Sequence, residues 1–342
     1  MLISDFDFEL PENLIAQEPL KNRQESRMLV VNRQAKTWQD QHFFKFPKFL
    51  QKGDVIVLNN TKVFPARIYG TNETGAKIEI FLVKEIENNL WETLAKPAKR
   101  LKLGKKIVFN EKLSAELVEK TVEGRCLLKF EFSGNFDEIL DEIGKTPLPP
   151  YIKREKDALD KDRERYQTVY ASERGAIAAP TAGLHFTPQV LEEVREIGVE
   201  IAEVTLHVGY GTFEPVRVED LSEHKVLPEQ CEISENTAEI LNRALAEKRR
   251  IIAIGTTSTR ALESSFADGK ILAGKRFADL TITPNYEFKV ISGILTNFHL
   301  PQSSLLVLVS TFGGYDLILN AYKHAVNSQY RFYSYGDCML II

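Results

Sequence analysis

From Pro65 to Phe132 the chain reads as strand after strand, each cut short by a turn. Lys77 to Val83, Ala115 to Val118 and Leu127 to Phe132 alternate polar and apolar residues, the period of a half-buried strand. Gly70, Gly75, Asn88-Asn89, Gly104 and Gly124 punctuate them. Short strands at this spacing predict a small barrel or sandwich. Phe136 to Ile143 then predicts one short helix. Behind it comes Gly144-Lys145-Thr146-Pro147-Leu148-Pro149-Pro150, whose prolines favour an extended connector over helix or strand.

The flanks have a different texture. Asp54 to Leu58 is a short apolar strand signal that runs into Asn59-Asn60-Thr61. Beyond the connector, Pro188 to Ile197 predicts a helix with Thr187 as N-cap and Gly198 as its stop. Val199 to Leu206 predicts a strand, Asn236 to Lys248 an amphipathic helix, Arg250 to Ile254 a buried strand and Thr257 to Ala267 the helix after it. Tyr315 to Val326 is a further helix. Ser304 to Phe312 is continuously apolar, so it has no telling period; helix is the favoured reading. The architecture expected is an α/β main domain, sandwich-like, over residues 1–64 and 151–342, with an inserted small β-barrel domain over residues 65–150.

A chain of 342 residues has room for two such domains. Its net charge of −4 gives no general attraction to nucleic acid or anionic membrane, so an RNA partner would need a local basic patch. Lys96, Lys99, Arg100, Lys102, Lys105 and Lys106 form one, with no acid between them. It is either a solvated strand edge or a contact for RNA phosphates. The basic residues from Lys153 to Arg165 are offset by acids and predict an exposed helix or loop. Cys126, Cys231 and Cys338 stand far apart with no C-x-x-C, which predicts buried free thiols and a reducing compartment. The acidic N-terminus is no secretory signal, and an apolar run such as Leu305 to Val309 is far too short to span a bilayer. A cytoplasmic protein is expected.

Several chemistries are excluded. Gly144-Lys145-Thr146 ends like a P-loop, but Ile139 replaces its first glycine. Gly209-Tyr210-Gly211 opens a dinucleotide fingerprint, but Glu214 occupies the third glycine position. H-E-x-x-H, the zinc-deaminase signature and G-x-S-x-G are all absent. No two histidines lie at ligand spacing, so no metal is expected.

Five polar segments remain. Asn59 to Arg67 follows a buried strand, where α/β proteins place ligands, although Asn and Thr also make ordinary turns. Ala178 to Thr187 combines small residues, which let a ligand approach the backbone, with His185 beside a predicted helix start. Thr205 to Pro215 interleaves glycines with His207, Tyr210 and Glu214, giving stacking, donors and a titratable group; a hairpin turn is the plainer alternative. Ile254 to Arg260 carries more hydroxyls than a cap requires and suits a nest for carboxylate or phosphate. Thr296 to Pro301 and Tyr330 to Asp337 form the fifth. Aromatics beside Arg and Asp suit an unstacked base, but a half-buried strand would show the same alternation.

Taken in order, these segments resemble one family. The similarity begins at Asp5-Phe6-Asp7-Phe8-Glu9-Leu10-Pro11 and runs through Ile15-Ala16-Gln17, Ser26-Arg27-Met28-Leu29 and Asn59-Asn60-Thr61-Lys62-Val63. It continues through Pro180-Thr181-Ala182-Gly183-Leu184-His185-Phe186, His207-Val208-Gly209-Tyr210-Gly211-Thr212-Phe213 and Gly255-Thr256-Thr257-Ser258-Thr259-Arg260. It closes on Thr296-Asn297-Phe298-His299-Leu300-Pro301 and Tyr330-Arg331-Phe332-Tyr333-Ser334-Tyr335-Gly336-Asp337. The family is that of the S-adenosylmethionine:tRNA ribosyltransferase-isomerases, which make epoxyqueuosine in tRNA. Glu25, where Asp is expected, is a conservative departure.

The resemblance implies S-adenosylmethionine as a ribosyl donor and, as acceptor, tRNA carrying 7-aminomethyl-7-deazaguanine at the wobble position. It also implies no metal and a monomer. The sulfonium acidifies the adjacent C5′–H, so a base is needed there, and departing adenine needs a donor. His185 and His207 are the leading candidates, with Asp337 or Glu214 as substitutes if burial raises their pKa. Thr256, Thr257, Ser258 and Arg260 would hold the methionine carboxylate or a phosphate. Phe186, Tyr210 and Tyr333 would stack on a base. Asn60, Arg67, Thr181, Asn297 and His299 complete the expected substrate contacts, and Lys99, Arg100 and Lys102 would meet the anticodon stem. An RNA methyltransferase using the same co-substrate and a non-catalytic RNA-binding module are the alternatives.

Overall fold

The computed structural model describes residues 1–121, 124–154, 160–213 and 216–342. A nine-stranded sheet organises the chain. Its order is Gly274–Ala278, Glu229–Ile233, Glu200–Leu206, Val55–Asn59, Ile251–Ile254, Gly293–Asn297, Cys338–Ile341, Arg27–Asn32 and Thr37–His42. The four strands from Glu200–Leu206 to Gly293–Asn297 run parallel.

Parallel strands are covered on both faces, so they read as unbroken apolar runs. Val55, Ile56, Val57 and Leu58 are at most 1% exposed. Their side chains alternate between two cores. Val55, Val57, Ile251 and Ala253 meet the helices Glu235–Ala246, Thr256–Ser264, Ser304–Gly313 and Tyr315–Asn327 on one face. Ile56, Leu58, Ile252 and Ile254 meet Phe43, Phe46, Val190 and Val194 on the other. The sandwich is therefore helix, sheet, helix.

The second unit is a closed six-stranded barrel: Cys126–Phe132, Leu90–Lys96, Lys77–Glu87, Arg67–Asn72, Lys106–Val108 and Leu113–Lys120. Inward residues Ile68, Ile78, Ile80, Leu82, Leu117, Leu128 and Phe130 fill it. The helix Phe136–Ile143, N-capped by the Asn135 side chain, plugs it with Ile139 and Leu140. Closure leaves no free edge, so the basic stretch is not an edge. Lys99 and Arg100 stand in a connecting turn, Ala98–Arg100. Lys105 and Lys106 pair with Glu73 and Glu131.

Three local expectations change. The helix after Ile254 stops at Ser264, because Asp268-Gly269 turns the chain with both residues at positive φ and pairs Phe266–Ala267 with Lys270–Ile271. Tyr330 to Asp337 is a bend rather than a strand. In the charged run, Asp162 on the helix Asp160–Arg165 is buried, held by Arg154 and by the Tyr335 hydroxyl; residues 155–159 lie outside the described residues. No single described helix is long and apolar enough to cross a membrane.

Candidate active site

The parallel strands end together, and the segments leaving them gather on one side of the sheet. Gly255 to Thr257 follows one strand, Phe298 to Ser304 another, and Val208 lies just past a third. With Ala178 to Ala182, Tyr151, Tyr166, Tyr333 and Ser334 they enclose a cavity of about 350 Å³. That lies in the range of small-molecule sites, at the strand ends where open α/β sheets place them.

Its floor is electropositive without a cation. Gly255 sits at φ +96°, a conformation glycine adopts without strain, and it opens the helix Thr256–Ser264 with no side-chain cap. The N–H groups of that first turn are thus unclaimed by a cap. A second helix, Ser304–Gly313, starts on the same cavity, with Ser303 accepting from the Leu306 amide at 3.2 Å. Both positive helix ends face the cavity. Among the described residues, none that lines the cavity is Asp, Glu, Lys or Arg.

Its walls are aromatic and hydroxylic. The rings of Tyr151 and Tyr333 stand 3.9 Å apart, nearly perpendicular, and the Tyr151 hydroxyl meets that of Ser334. Burial holds the Tyr151, Tyr166 and Tyr333 phenols above their usual range, so they are neutral donors. Asn297 fixes Tyr333 at φ +72° by donating to its carbonyl at 2.9 Å. His299 faces the cavity with Nε2 2.8 Å from Thr296 Oγ1, and burial pushes its pKa down to about 3.

A family model described as queuosine biosynthesis protein matches residues 3–341. The chain belongs to that family. It is 51% identical, over the whole of both chains, to an S-adenosylmethionine:tRNA ribosyltransferase-isomerase of Desulforamulus reducens. It is 49% identical to the protein of that name from Staphylococcus haemolyticus, again over both full lengths. A crystal structure of S-adenosylmethionine tRNA ribosyltransferase from Thermotoga maritima matches with TM-score 0.57 and 34% identity, over 99% of this chain and 100% of that one.

In this member of the queuosine biosynthesis family, Thr181, Thr256, Thr257, Asn297, His299 and Tyr333 of the expected set line the cavity. The remaining expected residues do not. His185 lies behind Asn297: its Nε2 is 3.4 Å from Asn297 Oδ1, its Nδ1 is 2.7 Å from Ser26 Oγ, and burial lowers its pKa to about 4. His207 turns away, with Nδ1 2.7 Å from Thr61 Oγ1. Its ring lies against Gly175, where an added Cβ would come within 2.7 Å of it. Asp337 accepts from the backbone amides of Arg27 and Arg331, which is what bends the Tyr330–Asp337 segment. Burial raises its pKa.

Phe186 is core, its ring centre 4.9 Å from that of Phe43. Tyr210 packs on Phe81 of the barrel. Arg67 pairs with Glu79, and Asn60 bonds Glu203 and Thr205. Ser258 is spent on the Ile254 carbonyl at 2.8 Å. Arg260 is held by Glu229 and by the carbonyl of Ala278. Glu214 lies outside the described residues.

Sequence reasoning did not single out every side chain here. Asn59, outside the lining, bonds the Leu206 backbone and donates to Thr257 Oγ1 at 3.3 Å, tying two strand ends together. Tyr151, Tyr166 and Ser334 come from segments distant in sequence. Ser303-Ser304 had a readable signal: a hydroxyl residue ahead of an apolar run marks a helix start.

Proposed function

We propose that the chain transfers and isomerises the ribosyl unit of S-adenosylmethionine onto 7-aminomethyl-7-deazaguanine at the tRNA wobble position, giving epoxyqueuosine and releasing adenine and methionine. The cavity carries this reading. S-adenosylmethionine brings one carboxylate and a sulfonium. The uncapped helix start at Thr256 and Thr257, with the Ser304 helix beside it, supplies donors for the carboxylate. The faces of Tyr151 and Tyr333 suit the sulfonium. Thr181 and Asn297 are left for the ribose and adenine. His185 serves as a positioning residue through Asn297.

Residues 65–150 form the inserted barrel domain on this reading, and residues 1–64 with 151–342 the catalytic one. The working unit is taken as a cytoplasmic monomer, in keeping with three buried, unpaired cysteines. The tRNA lies along the barrel. Lys99, Arg100 and Lys102 are exposed, and no ion pair holds them among the described residues. Replacing all three by alanine is expected to weaken tRNA binding for every sequence alike. The slope of log affinity against log salt should fall by about one for each phosphate these side chains neutralise. An unchanged salt slope would move the RNA surface elsewhere.

The deciding experiment uses aminomethyl-deazaguanine tRNA and S-adenosylmethionine labelled in the ribose or in the methyl group. Ribose label entering tRNA, with adenine released, is the expected result. Methyl label entering instead makes the protein a methyltransferase. Binding with neither label transferred makes it an RNA-binding module.

A further inference from the structure

We propose that His299 is the proton-transfer residue of the site: its Nδ1 takes the C5′ proton of S-adenosylmethionine and gives it back to the departing adenine. This rests on the placement of S-adenosylmethionine in the cavity.

Among the described residues that line the cavity, His299 is the one whose side chain offers an imidazole lone pair. The rest are apolar groups, aliphatic hydroxyls, amides and phenols that burial keeps protonated. The hydrogen bonds around it select a tautomer. The Thr296 hydroxyl has one proton and donates it to the Asn297 carbonyl at 3.3 Å. On the proposed assignment that donation is kept, so at the 2.8 Å contact the threonine oxygen accepts and Nε2 carries the hydrogen. That leaves the lone pair on Nδ1. The loop is pinned as well, because the His299 amide donates to the buried Tyr322 hydroxyl at 3.1 Å.

A buried imidazole is a weak base toward a neutral acid, since burial disfavours the imidazolium. The sulfonium changes this. Breaking C5′–H leaves its electron pair on carbon as an ylide, so the ligand loses its sulfonium charge as the imidazolium gains one. The net charge in the cavity does not change, and the desolvation cost that lowers the pKa of the empty site is offset. The ylide pair then forms a C4′–C5′ double bond as C4′–O4′ breaks, the released O4′ pair closes a carbonyl at C1′, and the bond from C1′ to adenine breaks as the adenine nitrogen takes its electron pair and the proton on Nδ1. His299 ends neutral.

The test uses full-length protein, the modified tRNA and S-adenosylmethionine. His299→Asn should bind S-adenosylmethionine within about threefold of wild type and release adenine about 10²–10⁴-fold more slowly, the span of one general acid–base group. In D₂O, wild type should wash deuterium into C5′ and the variant should not. Thr296→Val removes the tautomer's acceptor and should lower kcat with KM unchanged, which keeps the test open if His299→Asn fails to fold. Adenine release at wild-type rate in either variant overturns the proposal. Thr257→Phe, which fills the cavity, checks the underlying placement by binding alone: undiminished affinity for S-adenosylmethionine would sink that placement, whatever the His299 variants do.

Discussion

Arg260→Met is expected to lower the unfolding free energy by about 3–5 kcal/mol, the usual result of removing one partner from a buried ion pair. Arg260 and Glu229 are 9% and 5% exposed and lie 2.5 Å apart. The intact pair adds little net stability, because both charges were desolvated to form it. Removing the guanidinium strips an enclosed carboxylate of the charge that lies 2.5 Å from it. Glu229 also accepts from the Gly209 amide at 2.9 Å, so it cannot swing out to water without releasing that loop. Arg260→Met with Glu229→Gln removes the stranded charge and keeps an acceptor for Gly209, so most of the loss should return. Urea unfolding of the two variants reads this out. A single variant within 1 kcal/mol of wild type would mean the guanidinium does not hold this corner and is free for substrate. Affinity for S-adenosylmethionine in the folded Arg260→Met protein should change little, since Arg260 lies off the cavity.

Arg260 also shows what was legible in the sequence. Periodicity found the elements well. Phe136–Ile143 and Tyr315–Asn327 lie where the apolar spacing put them, and the ambiguous run after Ser303 is a helix. Barrel and α/β texture separated because a period of 2 and a period of 3.6 are distinct signals. Motif reading picked several loops that line the cavity, since strand ends and glycines mark them. It did not say which side chains turn inward. In Gly255 to Arg260 the first two threonines face the cavity, whereas Ser258 and Thr259 bond the preceding turn and Arg260 points to Glu229. One helical turn holds both orientations, and composition cannot separate them. The orientation of two histidines was hidden for a related reason. A titratable ring in a glycine-rich loop suggests catalysis, yet His185 and His207 are spent on Ser26 and Thr61, partners more than 140 residues away in sequence.

Those buried histidines lead to the second large effect, acid lability well above the carboxylate range. Burial holds His185 at about 4 and His299 at about 3, against about 6.5 in an unfolded chain. Both folded values are depressed, so below pH 6.5 the unfolded chain binds protons that the folded one does not. The stability of both sites is fully present above that pH. It drains as pH falls and stops draining only below about 4 for one and 3 for the other. Each site approaches a cost of about 1.4 kcal/mol per pH unit in that window, so the step from pH 6.5 to 5, which starts with the unfolded rings half protonated, removes about 3 kcal/mol for the pair. His207 and His224 are shifted the same way by burial and add to the loss. Asp337, raised by burial, works in the opposite sense, but only toward its own lower range. The urea midpoint should therefore fall steeply between pH 7 and 5. His185→Asn, which keeps a polar atom for Ser26 but cannot titrate, should flatten a large part of that slope. A midpoint level across the window would mean that both rings protonate in place. His299 would then stand charged in the cavity below pH 6, unable to take a proton from the sulfonium, and turnover would fail there while the fold survived.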